Sequence, residues 1–283
     1  MYPKPKLPVR ALLACLCLAA LLTACGDDQP DLTQPYTITR GKISLTVEPA
    51  LGGRLSSLTY DGKEVLRTVR DSAQLLWGST VWTSPQADWG WPPPPAYDTE
   101  PYVLTVLGEH RLLLEGPRDP ASMLRLRKRF VLGPDSDVGL TAWVTNESSL
   151  PVDVALWENT RLPYAGTFEF QTDTLWYDKT PIPPVALTDS TYRLTLDTTY
   201  TTAGKLFAGL PTGTVRYHRD GVTLTKHTVV KALYRTAPGQ GPLEIYIDPV
   251  RGLSELELQG DYRTIAPGES NSMRTKWTLS AHE

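Results

Sequence analysis

Apolar and polar residues alternate in short runs along most of this chain. Ile43, Leu45 and Val47 alternate with Ser44 and Thr46, and Leu140, Ala142 and Val144 with Thr141, Trp143 and Thr145. Further on, Leu243, Ile245 and Ile247 alternate with Glu244, Tyr246 and Asp248, and Leu256 and Leu258 with Glu255, Glu257 and Gln259. Successive side chains of a strand point to opposite faces, so a period of two predicts half-buried antiparallel strands. Turn signals separate the runs: Asp61-Gly62, Gly133-Pro134-Asp135, Asp220-Gly221, Pro238-Gly239 and Pro267-Gly268. No window of a dozen residues carries a helical stripe, and neither a repeat nor a linker divides residues 36–283. The pattern predicts one all-β sandwich.

The first 24 residues have a different character. Lys4, Lys6 and Arg10 precede a 14-residue apolar run, Ala11 to Ala24. A bilayer span needs about 20 residues, so this run reads as an export signal. It ends Leu22-Thr23-Ala24-Cys25, which resembles a bacterial lipobox, with cleavage before Cys25 and lipid on its sulfur. Residues 25–35 then form a polar, proline-punctuated tether. The expected location is a bacterial membrane surface, with the outer membrane favoured because Gly26 stands where a retention signal often places Asp.

Charge and cysteine content narrow the function classes. The chain carries a net charge of −3, and loss of the three basic leader residues leaves −6. With no basic stretch, nucleic acid is excluded as a partner. Cys15 and Cys17 leave with the leader and Cys25 takes lipid, so no thiol remains for a disulfide, zinc cluster or nucleophile. His110, His218, His227 and His282 show no paired metal-ligand spacing. Neither a metal nor another cofactor is expected.

Three stretches could carry chemistry. Trp82 to Pro95 reads W-T-S-P-Q-A-D-W-G-W-P-P-P-P. The four prolines favour a stiff polyproline II segment. Trp82, Trp89 and Trp91 beside Gln86 and Asp88 suit a sugar, whose C–H faces pack on rings and whose hydroxyls seek amides and carboxylates. The competing reading is a Trp/Pro plug in the core. In Val152–Arg161, the residues Val152, Val154, Leu156 and Glu158 share one strand face. Glu158 is thereby expected to emerge at a pocket with Arg161, or else to form an ion pair at a strand end. Glu255, Glu257 and Gln259 share one face at about 6.6 Å per pair. They form either a solvated sheet face or the polar floor of a site completed by Glu244, Tyr246 and Asp248.

The order of these marks resembles the galactose-mutarotase-like (aldose 1-epimerase-like) superfamily, nearest an uncharacterised bacterial lipoprotein family of that fold. The resemblance rests on Gly52-Gly53-Arg54-Leu55-Ser56-Ser57-Leu58, Asp61-Gly62-Lys63-Glu64-Val65-Leu66 and Gly78-Ser79-Thr80 before the Trp/Pro loop. It continues through Val144-Thr145-Asn146, Trp157-Glu158, Leu256-Glu257-Leu258-Gln259 and Ala266-Pro267-Gly268-Glu269-Ser270. It implies a β-supersandwich of two large curved antiparallel sheets with a carbohydrate site on a concave face. It also implies that Glu257, in its Leu-Glu-Xaa-Gln context, is a general base. The family's acid histidine has no counterpart in Trp157-Glu158-Asn159-Thr160, nor has a second histidine near Gly78 to Trp82. Glu158 is the substitute acid that this pattern offers, if burial raises its pKa.

The expectation is therefore a lipid-anchored saccharide-binding protein with Trp82, Gln86, Asp88, Trp89 and Trp91 at the rim, and Glu158, Arg161 and Glu257 on the floor. Two alternatives stand beside it: an atypical epimerase using Glu257 and Glu158, and a structural lipoprotein in which the indoles are core.

Overall fold

A computed structural model describes residues 33–70, 75–178, 182–230 and 235–282. The leader, Cys25 and most of the tether lie outside the described residues. Among those described, an eleven-stranded and a ten-stranded sheet, paired antiparallel throughout, account for the whole architecture apart from two short helical turns. This is the β-supersandwich that the alternation and the resemblance both predict. Apolar residues at every second position close the space between the sheets. Ile43, Leu45 and Val47 are buried from one sheet, and Leu140, Ala142 and Val144 from the other.

Several turns follow from local chemistry. Asp61 and Gly62 have φ of 52° and 77°, and Asp220 and Gly221 have 49° and 74°. Each pair joins two strands in direct register, Tyr60 opposite Lys63 and Arg219 opposite Val222. Two successive positive φ values make the primed turn that matches strand twist, which is why Asp-Gly occurs there.

The site is positioned by the middle of the larger sheet, where the strands run in the order Ser79–Ser84, Val152–Pro163, Leu253–Gln259, Leu243–Asp248 and Gly204–Ala208. Val152–Pro163 pairs with Ser79–Ser84 over residues 155–160 and with Leu253–Gln259 over residues 157–163. Its two faces have separate tasks. Val154, Leu156 and Leu162 are buried towards the second sheet, while Trp157, Asn159 and Arg161 occupy the opposite face.

That alternation corrects one expectation. Glu158 lies on the same face as Leu156 and Leu162, is completely buried, and pairs with Lys226 of the second sheet. Its other oxygen accepts from Thr275 Oγ1 at 2.6 Å. Glu158 therefore joins the two sheets and does not reach a pocket. The apolar Leu162, two strand pairs further on, keeps that face in the core. Lys226 also stands 3.9 Å from the Trp277 ring centre, so its charge meets both a carboxylate and a π face.

Pro94 is extended at φ −51° and ψ 135°, but Pro95 opens a single helical turn, Pro95–Asp98, so the polyproline II expectation fails at the last of the four prolines. A proline at the first helical position costs no hydrogen bond. The turn delivers Asp98 into the core, 2.9 Å from Arg54 and 3.0 Å from Trp82 Nε1. Gly52 explains part of the Gly-Gly-Arg signature: at φ +64°, a Cβ there would lie 2.5 Å from the Asp98 backbone.

Candidate functional site

On the face of the larger sheet turned away from the core lies a cleft of about 470 Å³. Its floor is a grid fixed by register. Asn159 stands opposite Glu257 on one side and Thr80 on the other. Glu257 in turn stands opposite Glu244, and Glu255 opposite Tyr246. Because side chains alternate, these positions all project to one face. The Glu255, Glu257 and Gln259 row is thus a buried polar floor and not a solvated face, with exposures of 8%, 0% and 0%.

Lys205 organises the charge. Its Nζ lies 2.5 Å from Glu244 Oε2 and 2.8 Å from Glu257 Oε2. Burial opposes the ammonium, but the two carboxylates outweigh it and hold the lysine pKa above its ordinary value. Glu257 is pushed well above the usual carboxylate range, chiefly by burial, with Glu244 and Glu255 adding repulsion against Lys205. Trp157 Nε1 donates to Glu257 Oε2 at 2.8 Å. All the partners of Glu257 thus crowd one oxygen; Oε1 is buried and has none. Asn159 Oδ1, on the facing residue, is likewise buried without a partner. Unmet buried acceptors are rare and call for an explanation, an absent ligand among them.

The Trp/Pro loop divides between the two roles expected for it. Trp82 is 2% exposed and Trp91 is 52% exposed. Trp82 packs edge-on against Trp89, Trp91 and Trp157 at 5.9, 6.1 and 5.3 Å, and so acts as the plug of the loop. It still lines the cleft together with Trp91, Gln86 and Trp157.

Other expected positions are not brought to the lining. Asp88 is exposed and outside it. Trp89 turns inward, half-buried, and donates from Nε1 to the Thr83 carbonyl at 3.1 Å. Arg161 sits just beneath the floor. It donates to Glu255 Oε1 at 2.8 Å and to Thr80 Oγ1 at 2.6 Å, with its guanidinium 4.7 Å from the Trp82 ring centre. Its partner is Glu255, not Glu158, because Arg161 and Glu255 are register neighbours. The arrangement holds both Glu255 and the Trp82 ring in place.

Asn159, Lys205, Asp178, Arg251 and Leu76 line the cleft without having been singled out in the sequence. Asn159 was legible in principle, two residues from Trp157 and from Arg161 on one strand face. Lys205 had no such mark. Its importance comes from a neighbouring strand distant in sequence. No histidine is among the lining residues, and no group of three potential metal ligands occurs among the described residues.

Known structures share this architecture. A galactose mutarotase-like protein from Lactobacillus casei aligns with a TM-score of 0.64 at 12% identity, covering 87% of this chain and all of that one. A galactose mutarotase related enzyme from Lactobacillus acidophilus gives 0.61 at 9%, covering 88% and 98%. A protein from Escherichia coli K12, provisionally named an aldose 1-epimerase, gives 0.65 at 15%, covering 88% and 99%. At such identities the likeness establishes the galactose-mutarotase-like fold. No curated protein matches the chain. A family model described as a domain of unknown function, DUF4380, matches residues 34–280, and the chain belongs to that family.

Proposed function

We propose that this protein binds a saccharide in the Trp-edged cleft, and that lipid on Cys25 holds it at a bacterial membrane surface after export. The observation that carries the binding reading is the pair of facing, unpartnered acceptors, Asn159 Oδ1 and Glu257 Oε1, in the floor of a cleft edged by Trp91 and Trp82. Sugar hydroxyls are donors that would satisfy both oxygens, and a pyranose C–H face would pack on the exposed Trp91 indole. The names of the structural neighbours point to the same class of ligand. Saturation-transfer proton NMR with a panel of sugars tests this. The expected result is transfer that disappears in Trp91→Ala, and silence across monomeric and oligomeric sugars would sink the reading.

One observation favours a second reading, an aldose epimerase. Glu257 combines a raised pKa with an unpartnered oxygen, which is what a general base near neutral pH requires. Glu158 is not its acid, being on the other face of the strand. Exchange between the two anomer signals in the same NMR experiment separates a catalyst from a binding protein. Accelerated exchange that is lost in Glu257→Gln would establish the epimerase.

A further inference from the structure

The outer face of the ten-stranded sheet carries a charge pattern that the cleft does not use. Leu124–Leu132 reads L-R-L-R-K-R-F-V-L, and strand alternation sorts it. Lys128 is buried in the core, whereas Arg125, Arg127 and Arg129 all stand on the outer face. On the next strand, Asp137–Asn146, Trp143 lies opposite Arg127, and the guanidiniums of Arg127 and Arg129 stand 5.4 and 5.5 Å from its ring centre. Beyond it, on Ser270–Ala281, Ser272 faces Trp143 and the exposed Arg274 follows on the same face. Arg118, on Arg111–Arg118, stands opposite Arg125. Arginines thus surround one indole.

The carboxylates near this group do not cover it. Glu147 lies 2.6 Å from Arg125 and also feels the charge of Arg118, and Glu115 lies 3.9 Å from Arg127. Asp261 lines a hollow together with Arg274, but its Oδ1 accepts from the Arg235 backbone N–H and no ion pair joins it to Arg274. Among the described residues, neither Arg129 nor Arg274 forms an ion pair, and Arg129 Nε is buried without a hydrogen-bond partner. Stacking on the indole fixes the Arg129 side chain and leaves its fork for an anion.

We propose that this face is a docking surface for an anionic phospholipid bilayer, with Arg127, Arg129 and Arg274 meeting headgroup phosphates around Trp143. The cations are spread across four neighbouring strands, about 14 Å, as well as along them, and such a spread matches a plane of charges better than a single linear chain. The chain as a whole carries −3, so an anionic plane repels the rest of the surface and selects this face. A lipid on Cys25 would hold the domain on a tether of at most about 40 Å, within reach of such a plane. The cleft opens on the outer face of the other sheet, so a domain seated this way turns the cleft away from the bilayer.

Vesicle co-sedimentation of the chain from Gly26 onward tests the proposal without help from leader or lipid. The described strands all lie between Tyr36 and Ala281, and residues 32–283 form a compact unit of their own, so this chain keeps the fold. It is expected to bind vesicles of phosphatidylglycerol and phosphatidylcholine in equal parts, to ignore phosphatidylcholine alone, and to dissociate as salt is raised. An arginine near an anionic surface is worth about fivefold in binding, so Arg129→Gln/Arg274→Gln, which breaks no ion pair, should weaken it tenfold or more. Arg274→Gln alone, a change at an exposed position, serves if the double variant does not fold. Lys42→Gln/Lys63→Gln removes the same charge from the other sheet and should leave binding within about twofold. No binding to the anionic vesicles, equal binding to the neutral ones, or indifference to the arginine substitutions would each overturn the proposal. Binding to a soluble polyuronate with the same arginine dependence, and not to the vesicles, would overturn it in favour of an acidic glycan. Each outcome is read without Cys25, so the lipid reading stands or falls separately.

Discussion

Lys205 Nζ lies 2.8 Å from one oxygen of Glu257, and the other oxygen of that carboxylate has no partner at all. The lysine also holds Glu244. Removing it by Lys205→Met leaves two buried carboxylates facing each other, and the expected cost is about 3–5 kcal/mol in urea unfolding. Glu257→Gln has the opposite character. A carboxyl whose folded pKa lies well above its unfolded 4.5 contributes stability that is full below 4.5 and is lost as pH rises through the folded value. Stability measured upward from pH 4.5 should therefore fall less steeply in Glu257→Gln than in the wild type.

Glu158 and Lys226 form a buried pair between the sheets, and each alone is a liability. Glu158→Leu and Lys226→Met should each destabilise by about 3–5 kcal/mol, because each strands one buried charge. The double variant Glu158→Leu/Lys226→Met should recover most of that loss. Sugar binding in the double variant should match the wild type, since neither residue reaches the cleft. A binding defect without a stability defect would contradict the assignment of Glu158 to the core.

Two tryptophans of one loop should separate fold from binding. Trp82→Ala removes a buried indole, its bond to Asp98 and three ring contacts, and should cost about 3–5 kcal/mol. Trp91 is half exposed and meets Trp82 edge-on, so Trp91→Ala should cost only about 1 kcal/mol while weakening saccharide binding. Thermal melts and saturation transfer on the same samples decide it.

Lys128 supplies a pH signature of its own. Burial, aided by the charge of Arg54, lowers its pKa from 10.5 to about 7, while its Nζ donates to the Gly52 carbonyl at 2.6 Å. A lysine with a depressed folded pKa makes the fold more stable as pH rises from about 7 towards 10.5, because only the unfolded chain still binds the proton. Lys226, also lowered by burial, adds to the same slope. In Lys128→Met the rise in stability between pH 7 and 10 should be visibly smaller than in the wild type.

Lipidation is tested apart from the domain. Wild-type protein expressed in a diderm bacterium should incorporate labelled fatty acid and fractionate with membranes, and Cys25→Ser should do neither. Labelling that persists in Cys25→Ser would reject the lipobox reading.

The strands were legible because alternation is a local property: each buried face announces itself within five or six residues. The Asp-Gly turns were legible for the same reason. The site was legible only where it obeyed the same rule, as in Glu255, Glu257 and Gln259. Glu158 is not legible from Val152–Arg161 alone, because Leu162, one residue beyond, is what returns that face to the core. Lys205 could not be found, since its role depends on which strands become neighbours, and pairing between distant segments leaves no mark in either one. Trp89 and Trp91 sit two residues apart with the same chemistry, and only the backbone path decides which turns inward.

The strand Val152–Pro163 carries the inter-sheet ion pair on one face and Trp157 and Asn159 on the other, with pairing on both edges. A single inserted or deleted residue within it would exchange the two faces, sending the amide into the core and the carboxylate into the cleft. Length variation here would damage fold and ligand recognition together. The loop bearing Gln86 and Trp91 and the segment before Gly204 escape that coupling. Differences in the cleft among members of this family are therefore expected to accumulate at the rim, by loop remodelling, while the central strand keeps its length and its polar alternation.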